Sequence, residues 1–167
     1  VILTSLKVPT APLVTVLGAC GAAVALALKD SLGNIAGGII ILANKPFIRG
    51  DVIEVTGRTG IVQSIDLLVT TLKTYDNKVI TIPNGTITAS VLVNYSREEN
   101  RRVDVTFTIS YDSDIAKAKD VLMAVTESNP DILADPAPVV GVAEHQDSGI
   151  LMDLKVWCET SKYYDVR

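Results

Sequence analysis

The spacing of hydrophobic and polar positions changes three times along this chain. Residues 11–28, APLVTVLGACGAAVALAL, carry no charge. As a helix at ~1.5 Å per residue they cover ~27 Å, close to the hydrocarbon thickness of a bilayer. Polar Lys29, Asp30 and Ser31 interrupt the run, and an apolar stretch then resumes as far as Asn44-Lys45-Pro46. Asp30 and Ser31 are good helix N-caps, so the pattern predicts a break here and a second helix over about 32–42. Leu32, Ile35, Ile39 and Leu42 would share one face of it, and Pro46 would end it. Residues 1–10, with Pro9 and then Pro12, read as a short approach to the first helix.

From Arg49 to Tyr95 the period falls to two. Residues 51–55, 61–65, 69–72, 79–82 and 91–93 read as five short strands. The turns fall at Thr56–Gly60, Asp76-Asn77 and Pro83-Asn84-Gly85, and five such strands suggest a small barrel. After Arg102 the order becomes strand, helix, strand, strand. Asp112 or Ser113 would cap a helix whose face holds Ile115, Ala118, Val121, Leu122 and Val125. Residues 139–144 and 150–158 follow as strands, and Thr160 or Ser161 would cap a further helix. This is an incomplete ferredoxin-like order. The expected fold is therefore a membrane helix with a break (1–46), a small β-barrel (47–100) and an α+β ferredoxin-like domain (101–167).

Composition sharpens the first segment. Apolar residues make up 48% of the chain, loaded into its first third, while nearly all charge follows Lys45. A buried Ala-rich helix of a large soluble protein is the alternative, but too few residues remain to cover such a helix on every side. Gly18, Gly21, Ala23, Ala25 and Ala27 give the run a smooth surface on which copies of the helix can pack closely, and Gly33, Gly37 and Gly38 do the same for the second helix. Lys7 stands before the run and Lys45, Arg49 and Arg58 after it, which places the C-terminal side in the cytosol.

Catalytic and metal chemistry find little support. No nucleophile, zinc or phosphate-loop motif is present. Cys20, Cys158 and His145 have no metal spacing, and the cysteines read as small buried thiols. Asp112 and Asp114 lack the glycine and glutamate of a calcium loop, so capping explains them better. The net charge of −4 and the absence of a polybasic run speak against nucleic acid. Arg97, Arg101 and Arg102 read as solvated surface or a subunit contact. The expectation is a non-enzyme with no cofactor and no metal.

Residues 17–55, LGACGAAVALALKDSLGNIAGGIIILANKPFIRGDVIEV, resemble the pore helix and first cytosolic strand of the small-conductance mechanosensitive channel family. TIPNG (81–85), NYSRE (94–98), the Arg101-Arg102 pair and YDSDI (111–115) follow in that family's order. The resemblance implies an Sm-like barrel, further membrane helices before residue 1 and further chain after Arg167. It implies a homo-oligomer of seven subunits in the cell (inner) membrane, multi-pass in full length, with cytosolic C-terminal domains. Its partners would be the lipid bilayer and permeant ions, released together with small osmolytes on hypo-osmotic shock. The family closes its pore with two apolar rings one turn apart, which map onto Ala22 and Leu26. Both are usually leucine, so Ala22 departs and Leu26 alone would carry the constriction. Asp30 departs as well, from a glycine that allows a kink; capping by Asp30 would set the same break. The alternative functions are a membrane-anchored Sm-like module binding RNA or a partner protein, or a transporter. An aromatic content of 5% leaves the module without stacking platforms. A transporter needs polar groups in the span, where Thr15 is the one candidate between Leu13 and Leu28.

Overall fold

The computed structural model describes residues 10–167. The expected approach segment lies outside them except for Thr10. The described residues form two compact units divided between Asn94 and Tyr95.

The first unit opens with α1, a helix of 35 residues from Thr10 to Asn44, ~52 Å long. It runs unbroken through Lys29, Asp30 and Ser31, so the expected break and the second-helix cap are corrected. None of the three is a glycine or proline. In a helix interior each costs at most ~0.7 kcal/mol relative to alanine, less than breaking the ladder. The helix ends where Lys45 turns left-handed at φ 46°, its N–H donating to the Ile41 carbonyl at 2.8 Å; Pro46 cannot continue the ladder.

Five strands follow: β1 Val52–Val55, β2 Arg58–Ile65, β3 Val69–Lys73, β4 Val79–Pro83 and β5 Leu92–Asn94. They form one antiparallel sheet in the order β4-β3-β2-β1-β5. The β1–β2 turn is tighter than the expected Thr56–Gly60. Val55 pairs with Arg58, leaving Thr56 and Gly57, both at positive φ, as a two-residue hairpin loop of the kind that matches strand twist. Where a Pro-Asn-Gly turn was expected, a short helix α2, Asn84–Thr88, leads from β4 at one edge of the sheet toward β5 at the other. Ile41 and Phe47 join Ile53, Val55, Val62, Leu72, Ile82 and Ile87 in a buried core.

The second unit holds β6 Asn100–Ile109, α3 Ile115–Ser128, β7 Val139–Gln146 and β8 Gly149–Glu159. β8 lies between β6 and β7, antiparallel to both. Asp114 is the cap of α3, rather than Asp112 or Ser113; its carboxylate accepts from the N–H groups of Ala116 and Lys117. Ala118, Leu122 and Met123 pack on the core of Val103, Val140, Met152, Leu154, Val156 and Cys158. Val121 and Val125, expected on that face, are instead more than half exposed. The chain closes with a 3-10 turn, Thr160–Lys162, and α4, Tyr163–Val166. No side chain caps the turn. The Thr160 hydroxyl donates instead to the Glu98 carbonyl at 2.6 Å. Arg101, expected at the surface, has its guanidinium over the rings of Tyr95 and Tyr163 at 4.7 and 3.6 Å. Arg102 pairs with Asp104 at 2.6 Å.

Candidate pore helix and its seat on the sheet

The chemistry available to α1 follows from what surrounds it. Every residue from Ala11 to Gly33 is exposed, including Leu17 at 72% and Leu26 at 79%. A stable protein does not leave a continuous apolar column of this length in water; lipid or further helices must cover it. Ala22 and Leu26 lie one turn apart on this column. Gly18, Gly21 and Gly33 have open space where a Cβ would stand. Ala23, Ala25 and Ala27 are exposed beside them. Cys20, expected buried, is exposed on the same helix.

The lower third of α1 is seated differently. The expected apolar face is not the buried one: Leu32, Ile39 and Leu42 are about half exposed. The buried side is Gly37, Gly38 and Ile41. A Cβ on Gly37 would stand 2.7 Å from the Asn84 backbone, and one on Gly38 would run into the Leu67 carbonyl. The two glycines let the helix backbone sit directly on α2 and on the loop before β3. An apolar-face rule misses this, because glycine adds nothing to a hydrophobic stripe.

Asn84 is the hub of the seat. It is fully buried. Its side-chain carbonyl accepts from the Thr70 hydroxyl at 2.8 Å, and its amide donates to the carbonyls of Asp66 at 2.7 Å and Leu67 at 3.0 Å. The next residue, Gly85, donates its N–H to the Asn34 side chain of α1 at 3.0 Å. A Cβ on Gly85 would approach Asn34 Oδ1 to 2.9 Å, so glycine keeps that bond open. In the sequence Asn84 and Gly85 stand out only as a turn and as part of TIPNG, and Asn34 and Thr70 not at all. The available signal was Asn34 itself, a lone amide in an apolar helix, which asks for a partner.

Titration is perturbed at groups outside α1. The hydrogen bond from Arg102 holds the Asp104 carboxyl below its usual range. Those from Lys78 and Thr74 do the same for Asp76. Burial pushes the Cys158 thiol up. Among the described residues no cluster of three metal-ligating side chains occurs, and α1 is the one helix long and apolar enough to span a membrane.

Known proteins agree with this arrangement. Residues 30–97 match the family described as "Mechanosensitive ion channel, beta-domain", and residues 103–167 match "Mechanosensitive ion channel MscS, C-terminal". A small-conductance mechanosensitive channel of Edwardsiella ictaluri is 39% identical over 89% of the chain and 52% of its own length. An MscS family protein of Synechocystis is 36% identical over 99% of the chain and 56% of its own length. The closed-state crystal structure of Helicobacter pylori MscS superimposes with a TM-score of 0.92 at 32% identity, covering 99% of this chain and 66% of that one. The chain thus spans about half the length of the curated relatives it matches. With both successive domains matched in order and the long apolar helix in place before them, the chain belongs to the MscS family of mechanosensitive ion channels.

Proposed function

We propose that this chain supplies the pore-lining helix and cytosolic part of a non-enzymatic ion channel opened by membrane tension, which passes ions and small osmolytes on hypo-osmotic shock. The observation that carries the reading is α1: uncharged and wholly exposed through residues 11–28, yet seated through Gly37 and Gly38 on α2 and the loop before β3. Seven copies would surround the pore in the cell membrane, with the C-terminal units cytosolic. The five-stranded sheet would be an Sm-like barrel, and the β6-α3-β7-β8 order the first part of a ferredoxin-like domain.

The mechanism follows from the helix surface. Gly18, Gly21, Ala23, Ala25 and Ala27 give neighbouring helices smooth faces, so they pack closely when the pore is shut. Leu26 then forms a narrow apolar ring. Water leaves such a constriction and ions do not cross it dry. Tension favours the state of larger in-plane area, so the helices separate, the ring widens and water re-enters. Because α1 is continuous to Asn44, displacement of its upper part reaches the sheet through Asn34 and the two seated glycines.

The test is recording from liposome patches that hold the full-length protein, under graded suction. Stepwise currents that rise with suction are expected. A protein that forms rings in detergent but stays silent up to patch rupture would overturn the reading.

A further inference from the structure

Lys29 and Asp30 are the first charges below the apolar run. Both are exposed, and neither enters an ion pair among the described residues. They line an open groove whose far wall is uncharged and mostly small: Gly85, Thr86, Ala89 and Ser90. Nothing on that wall can neutralise them. They cannot serve each other well either, since consecutive helical residues point about 100° apart. Two unpaired charges of opposite sign at the edge of a membrane span are costly, and side chains placed there pair or reach water.

We infer that Lys29 of one copy pairs with Asp30 of the neighbouring copy, forming a closed ring of ion pairs one turn beneath Leu26. The occupant of this surface is a second copy of α1, and the inference rests on the ring proposed above. In a cyclic ring of seven parallel helices each helix meets its two neighbours on faces about 129° apart, and the contact is head-to-tail. The angle between Lys29 and Asp30 falls about 29° short of that, a gap that their side chains span, so one residue serves each flank. Charge complementarity is built in: a helix offering lysine on one side and aspartate on the other is satisfied by copies of itself. The small residues above bring the backbones near enough for the pair to form. As the helices separate on opening the pairs lengthen, so the ring favours the shut pore.

Two experiments on the full-length protein test this. Charge reversal comes first. Lys29→Asp and Asp30→Lys should each lower the tension threshold, and the double variant should return it to that of the parent. Additive shifts in the double variant, or single variants that change the reversal potential and leave the threshold alone, would overturn the pairing. The second is trapping in a background where every native cysteine, Cys20 and Cys158 included, is serine, carrying Lys29→Cys and Asp30→Cys. Mild oxidation should give a ladder of covalent multimers on a denaturing gel. Monomer bands from a protein that is still a ring in detergent would remove the pairing and leave the ring standing. A monomer in detergent would remove both.

Discussion

Asn84 shows how much one side chain can fix. Its three hydrogen bonds join β3 and the loop before it to the start of α2, with Asn84 fully buried. Asn84→Ala leaves the Thr70 hydroxyl and two backbone carbonyls without partners. We expect a loss of about 1–3 kcal/mol, read as a lower midpoint of thermal or urea unfolding followed by β-sheet circular dichroism. Asn84→Asp keeps the acceptor for Thr70 and loses both donors, so it should fall at least as far. The second unit offers a titration. The Asp104 carboxyl is held below its ordinary 3.8 by Arg102. Its folded value is therefore below its unfolded value, and the stabilisation is present above about pH 4. It is lost as pH falls through the lower folded value. The pair is half exposed, so the effect is small. Unfolding midpoints of parent and Asp104→Asn, compared between pH 6 and 3, should differ less as the solution is acidified. Equal differences across that range would mean that the pair contributes nothing.

At the scale of elements, α1 separates what pattern alone reveals from what it does not. The strands were legible because alternation and turn residues agree: 69–72 and 79–82 were expected, and Val69–Lys73 and Val79–Pro83 formed. The pattern at Lys29-Asp30-Ser31 predicts a break that the helix does not make. Capping residues mark a helix start only where the preceding helix has a reason to stop, and no proline or glycine supplies one there. The buried side of lower α1 was also hidden, since Gly37 and Gly38 pack by lacking side chains. Their contacts make a contrast that can be measured. Gly38→Ala drives a Cβ into the Leu67 carbonyl and to 2.8 Å from the Asn84 amide. Backbone cannot yield as a flexible side chain can, so we expect about 1–3 kcal/mol of destabilisation. A Cβ at Gly21 has nothing within 4 Å among the described residues, so Gly21→Leu grows into open space. It should leave the sheet intact by circular dichroism while reducing the yield of assembled ring on size exclusion. A Gly21→Leu protein that assembles and gates normally would show that Gly21 lies away from helix–helix contacts.

For the whole molecule, the two kinds of surface on α1 suit a division of labour in the proposed channel: the seated end joins the helix to the sheet and the bare end meets its neighbours. In the proposed channel the gate lies on the bare end, where a large apolar side chain can both fill and dry a ring. Leu26 fits, being highly exposed at 79%, with Ala22 too small to share the task one turn above. Leu26→Ser both widens the constriction and lets water hydrogen-bond across it, so the dry barrier falls. The expected outcome is a channel that opens at lower tension or leaks at rest, seen in patch recordings and as slowed growth of expressing cells. Ala22→Leu adds a second apolar ring and narrows the same passage. It should raise the threshold, provided that detergent mass shows the ring still assembled, because Ala22 belongs to the smooth run whose crowding opposes packing. The two variants therefore move the threshold in opposite directions if one column of side chains forms the seal. An unchanged threshold without resting leak in Leu26→Ser would take the seal away from this turn of the helix and move it down toward Lys29 and Asp30, where the charge-reversal pair would then report it.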